Sequence, residues 1–139
     1  MRRFGGMKIK RIAHIGVGVK DTDLAKALYQ EMLSLPVSHE ERLGELKIAF
    51  VPVGQTNIEL VQSTDPEGIM NKFIDKKGEG IHHLAFEVED IDQALEELKA
   101  KGVPLIDQQA RPGAHEARIA FLHPKGTNGI LIELVQYTH

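Results

Sequence analysis

Apolar and polar residues alternate from Lys8 to Val19. Ala13, Ile15, Val17 and Val19 fall on one side of a strand; Ile12, His14, Gly16 and Gly18 fall on the other. The first side is predicted to pack on a helix. The second is nearly bare around His14, and glycines inside a strand mark close approach of a ligand or another backbone. Helical spacing follows. Asp21 or Thr22 caps a helix running to about Leu33, with Leu24, Ala27, Leu28 and Met32 or Leu35 predicted on its buried side and Pro36 as its stop. Three strands come next, at Val37–Arg42, Leu46–Val53 and Asn57–Gln62, the last two joined by a tight turn at Gly54–Thr56. This half reads β-α-β-β-β.

A Pro-containing linker and a short helix, Ile69–Lys76, lead into a second pass through the same pattern. Ile81–Val88 alternates, with Ile81, His83, Ala85 and Glu87 on the less apolar face. Asp90 to Lys101 is a helix with Ile91, Ala94, Leu95 and Leu98 at helical spacing, and Gly102 ends it. Strands are predicted at Val103–Asp107, Ala117–Leu122 and Ile130–Gln136. The two halves superimpose landmark by landmark. His14 meets His83; Asp21 and Asp23 meet Asp90 and Asp92; Ile48-Ala49-Phe50 meets Ile119-Ala120-Phe121. The pentapeptide Ile58-Glu59-Leu60-Val61-Gln62 recurs unchanged as Ile132-Glu133-Leu134-Val135-Gln136. This is an internal repeat, with modules at 8–63 and 80–137 inside one domain spanning 8–139. Residues 1–7 read as an extension, and Met7 is an alternative start.

Composition narrows the chemistry. The net charge is -3 with no basic cluster, which argues against nucleic acid as a partner. No run of residues is long and apolar enough to suggest a membrane span, and cytoplasm is the default compartment. There is no cysteine, so disulfides, thiolate metal sites and thiol nucleophiles are excluded.

The remaining metal-binding chemistry rests on His and carboxylate. Each module places a His early and a Glu late on strands of a common sheet. If the modules pair about a pseudo-twofold axis, His14, Glu59, His83 and Glu133 converge. Two imidazoles and two carboxylates suit one divalent ion such as zinc, cobalt, nickel, manganese or iron. His82 has the opposite strand parity from His83 and is assigned to a helix-side or rim position. His39, His115, His123 and His139 fall in loops or at the terminus.

These features resemble the vicinal oxygen chelate superfamily, which includes glyoxalase I, extradiol dioxygenases and fosfomycin-resistance proteins. The stretches Ile12–Val19, Gly80–Val88, Phe121–Lys125 and Gly129–Leu134 are most similar to the methylmalonyl-CoA epimerases of that superfamily. The resemblance implies an α+β fold: two tandem βαβββ modules forming a curved, cup-like eight-stranded mixed sheet with helices on the outer face. It implies one divalent metal per chain (Co2+, Zn2+, Ni2+ or Mn2+) on His14, Glu59, His83 and Glu133, and a homodimer. It further implies 1,1-proton transfer on an acyl-CoA substrate through an enolate. Glu133 is expected to serve as ligand and base together. For the second acid/base, the epimerase pattern places Lys47 where some relatives carry Glu, with Glu45 two residues away. Lys125 and Arg118 are candidate contacts for a CoA phosphate. Two other readings stand beside this one: a glyoxalase I-type isomerase acting on a glutathione hemithioacetal, and a metal-free small-ligand binding or resistance protein of the same fold.

Overall fold

The computed structural model describes residues 6–138. Of the expected N-terminal extension, residues 1–5 lie outside the described residues, as does His139. Gly6 and Met7 are tethered, because Glu97 accepts hydrogen bonds from both backbone amides at 2.7 and 3.2 Å.

The elements are β1 (Ile9–Gly18), α1 (Thr22–Leu33), β2 (His39–Leu43), β3 (Leu46–Val53), β4 (Thr56–Ser63), α2 (Ile69–Lys77), β5 (Gly80–Val88), α3 (Ile91–Ala100), β6 (Arg111–Pro112), β7 (Arg118–Leu122) and β8 (Ile132–Gln136). The strands hydrogen-bond in the order β2-β3-β4-β1-β5-β8-β7-β6, one eight-stranded sheet. It is mixed: β1–β4 and β5–β8 are parallel, and β2–β3, β3–β4, β6–β7 and β7–β8 are antiparallel. The chain forms two compact units, one spanning 14–83 and the other joining the residues up to 13 with those from 84 onward. Their boundaries cut through β1 and β5, so they differ from the sequence modules. The start of β1 goes with the second module, where Glu89 donates its amide to the Lys8 carbonyl.

In the first unit, Val19, Ala49, Val51 and Leu60 form a buried layer against Ala25 and Tyr29 of α1. Asp21 caps α1 by accepting from the amides of Asp23 and Leu24. The face α1 buries differs from the expected one. Leu24, Leu28 and Met32 are 71%, 50% and 63% exposed. Thr22 is fully buried, and its amide and hydroxyl both donate to Gln62 Oε1, at 2.9 and 3.1 Å. That anchor sets the rotation of the helix, so Thr22, Ala25 and Tyr29 face the sheet and the larger aliphatic stripe faces away.

In the second unit, Ile91, Ala94 and Leu95 of α3 pack on Val88, Ala120, Leu122 and Leu134, as their spacing predicts. The strand expected at Val103–Asp107 is absent. Pro104 has no amide to offer a ladder, and the segment keeps one bridge, Leu105 to Leu122. The Asp107 carboxylate takes the Phe121 amide at 2.8 Å, where a strand neighbour's carbonyl would otherwise accept. The edge of the sheet is instead the two-residue β6, paired with β7.

Candidate metal centre

The repeated pentapeptide works through both faces of its strand. Glu and Gln are three residues apart, so the pleat sends them to opposite sides. On the helix side, Gln62 holds the first turn of α1. Gln136 does the same for α3, accepting from the Ile91 amide at 2.8 Å. On the other side, Glu59 and Glu133 are 5% and 4% exposed. Glu59 is flanked in register by Gly16 of β1 and Phe50 of β3, and Glu133 by Ala85 of β5 and Phe121 of β7. Buried carboxylates of this kind cost several kcal/mol unless they are paired or coordinate a cation.

Within the first unit, Glu59 meets His14. Its Oε2 lies 3.0 Å from His14 Nδ1. The other nitrogen of that ring, Nε2, is 3.1 Å from His83 Nε2. His83 in turn has its Nδ1 2.9 Å from Nδ1 of His82. His14 and His83 are buried, and the two rings are perpendicular with centroids 5.1 Å apart. The two Nε2 atoms face each other, and two metal–nitrogen bonds of about 2.1 Å at a right angle span about 3.0 Å. His14 Nδ1 is buried without a hydrogen-bond partner, so its approach to Glu59 is a charge contact only. An orphaned imidazole nitrogen beside buried carboxylates is the kind of arrangement a cation completes, and the donor set fits a divalent metal.

Gly16 makes the arrangement possible. A Cβ there would sit inside the His83 ring. The close approach predicted by the strand glycines is thus made by side chains: His83 at Gly16, and Met70 and Phe73 of α2 at Gly18.

Two residues expected at the reacting centre are committed elsewhere in the first unit. Lys47 pairs in register with Gln62, on the helix side of the sheet, and its Nζ lies 3.2 and 3.3 Å from the Asp23 carboxylate oxygens. Glu45, in the turn between β2 and β3, accepts from Ser63 Oγ at 3.1 Å and from the Asp65 amide at 3.3 Å. It braces the connection into α2. The candidate phosphate contact Arg118 is bound bidentately to Asp92 at 2.7 and 2.8 Å. His123 caps a 3-10 turn by accepting from the Lys125 amide. His39 stacks on Phe50, and His115 meets Tyr137 edge-on. The residue that sequence reasoning undervalued is His82. Its adjacency to His83 was the available signal, but strand parity pointed the other way.

The profile of the Glyoxalase/Bleomycin resistance protein/Dioxygenase superfamily matches residues 13–121. The chain belongs to this superfamily. Among its relatives, methylmalonyl-CoA epimerase of Mus musculus mitochondria is 35% identical, over 93% of this chain and 74% of that one. The ethylmalonyl-CoA/methylmalonyl-CoA epimerase of Cereibacter sphaeroides is 34% identical, over 92% of this chain and 98% of that one. A solved structure of a Streptomyces coelicolor methylmalonyl-CoA epimerase variant in complex with 2-nitronate-propionyl-CoA superimposes with a TM-score of 0.89 at 31% identity, covering 94% of this chain and 96% of that one. Superfamily membership carries the expected α+β fold of eight strands and places the His/His/Glu cluster in a family of divalent-metal proteins.

Proposed function

We propose that the chain is a metal-dependent methylmalonyl-CoA epimerase that interconverts the R and S thioesters by 1,1-proton transfer. The observation that carries the reading is the buried His14–His83 pair, with its Nε2 atoms 3.1 Å apart and Glu59 beside the orphaned His14 Nδ1. The epimerase relatives, alike over nearly the whole chain, supply the substrate class.

In this reading His14, Glu59, His83 and Glu133 hold one divalent ion (Co2+, Zn2+, Ni2+ or Mn2+), with Glu59 also restraining the His14 ring. A divalent ion there supplies Lewis-acid polarisation of the thioester and carboxylate oxygens, several kcal/mol of charge stabilisation. The chain's residues do the rest. Phe50 and Phe121, the register neighbours of Glu59 and Glu133, keep water from the two carboxylates. Glu133 removes the α-proton from one face, for about 10²–10⁴ in rate, and a proton from solvent returns to the α-carbon on the other face, which completes the inversion. Lys47 and Glu45 receive no proton-transfer role, because each is held by partners outside the cluster. The exposed Leu24, Leu28 and Met32 of α1 support the homodimer part of the proposal; a monomeric mass by light scattering would remove it. Among the described residues no helix is long and apolar enough to cross a membrane. Cytoplasmic residence completes the proposal and is tested by cell fractionation.

The deciding experiment is α-proton exchange. Metal-loaded protein incubated in D2O with methylmalonyl-CoA is expected to wash deuterium into the α-carbon, and chelator is expected to stop it. No exchange above the protein-free rate would overturn the assignment. Turnover of methylglyoxal with glutathione would point to the glyoxalase I-type alternative.

A further inference from the structure

The second strand glycine, Gly18, makes room for something other than a metal ligand. A Cβ there would lie 2.7 Å from Met70 Sδ and 3.1 Å from Phe73 Cδ2. Gly16 and Gly18 share one face of β1, about 7 Å apart. His83 lies on the first and α2 presses Met70 and Phe73 onto the second. His82 links the two: its ring is perpendicular to Phe73 at 4.8 Å and to His83 at 5.1 Å. Phe73 is also held from behind. Ser63, buried at the end of β4, accepts the Met70 amide of the first turn of α2 at 2.8 Å, and its hydroxyl donates to Glu45 Oε2 at 3.1 Å. Asn71 Nδ2 donates to the carbonyls of Ser63 and Asp65, at 3.4 and 2.8 Å. Gly68 has to be bare for this, since a Cβ there would strike Glu45 Oε1 and Ser63 Oγ.

The torsion that turns a histidine ring is broad, so a single ring angle has to be imposed by neighbours. The Nδ1 atoms of His82 and His83 are 2.9 Å apart, and one must carry the proton that the other accepts. That bond needs both rings at fixed angles. Gly16 and His14 fix the His83 ring on one side; the Phe73 ring is what meets His82 on the other. We propose that Phe73 is a positioning residue for the His82–His83 pair. It sets the His82 ring, and the Nδ1–Nδ1 hydrogen bond passes that setting to His83. Glu45 then acts at a distance, through Ser63 and the first turn of α2, without touching the reacting atoms. The consequence for metal binding rests on the metal reading above; the ring geometry does not.

The test reads the two imidazoles directly, by long-range 1H–15N correlation of the ring nitrogens in metal-free protein. The wild type and Phe73→Tyr, which keeps the ring, are expected to show one protonated and one bare Nδ1. Phe73→Leu, which keeps apolar bulk without the ring, is expected to average the two towards mixed tautomers. Competition with a chromogenic chelator should then give a Zn2+ affinity about three- to tenfold weaker for Phe73→Leu, and within about twofold of wild type for Phe73→Tyr. Unchanged Nδ1 signals in Phe73→Leu would overturn the inference, as would equal disturbance in both variants or mixed tautomers already in the wild type. Absence of metal binding by the wild type would sink the functional reading alone, and the ring signals would still decide the role of Phe73. Phe73 is half-buried, so the fold is expected to survive; matching melting curves confirm this, and Phe73→Met supplies a milder change if they differ.

Discussion

Lys47 Nζ lies 3.2 Å from Asp23 Oδ1, and the second module repeats the arrangement with Arg118 and Asp92 at 2.7 Å. In each copy a base at the start of a strand grips the acid in the first turn of the adjoining helix. The base also pairs in register with the Gln that caps that helix, Gln62 in one module and Gln136 in the other. A device built twice in equivalent places belongs to the module rather than to the reaction. Lys47→Ala is therefore expected to leave epimerase kcat within about twofold. A fall of more than about a hundredfold, the scale of losing an acid/base group, would return Lys47 to the chemistry.

The same clamp gives the protein an acid-sensitive element. The Arg118 guanidinium beside Asp92 holds its carboxyl below the usual carboxylate range. A depressed pKa stabilises the fold above the unfolded-state value and loses that contribution as pH falls through the folded value. Asp92→Asn should consequently flatten the decline of melting temperature below about pH 4, with little change near neutrality beyond the loss of one exposed pair. An unaltered acid limb in the variant would show that the clamp has no part in it.

Gly16→Ala places a methyl where the His83 ring stands. Overpacking of this kind costs about 1–3 kcal/mol, and here the ring that must move belongs to a proposed ligand. The variant is expected to melt lower and to lose stoichiometric metal, measured by elemental analysis of purified protein. Full metal content would mean that the His14–His83 spacing is not what holds the ion.

The partners on Nδ1 can be separated from the ligands themselves. His83→Ala should abolish metal binding and exchange. His82→Ala should retain metal at an affinity weakened by about 10–100-fold, the usual cost of removing an orienting partner. Competition with a chromogenic chelator reads this directly, and equal losses in the two variants would contradict the division of roles.

Metal should also act as a stabiliser. Chelator is expected to lower the melting temperature and added Co2+ or Zn2+ to restore it, because ligand at about 100 Kd contributes about 2.7 kcal/mol to the folded state. A melting temperature indifferent to both treatments would favour the metal-free binding alternative.

Periodicity alone was enough to find β3, α2 and α3 within a residue of where they lie, because strand and helix periods are local properties. The duplication was legible for the same reason: His14 with His83, and Glu59 with Glu133, can be aligned without coordinates. Long-range contacts decided the remainder. A helix with two apolar stripes does not say which one it buries; the Thr22–Gln62 bond across the sheet chose the smaller. A stretch such as Val103–Asp107 has strand composition, yet Pro104 and the Asp107 side chain keep it out of the ladder. The two acids of the repeated pentapeptide were visible in the sequence, but its two glutamines were not recognised as helix caps, since that role exists only once strand and helix are packed. Parity put His82 and His83 on opposite faces, and only the folded chain brings their Nδ1 atoms within 2.9 Å. The sequence by itself determined the modules and the types of donor. The tertiary structure decided which nitrogen of each ring faces the other, because ring orientation is set by contacts between strands distant in the chain.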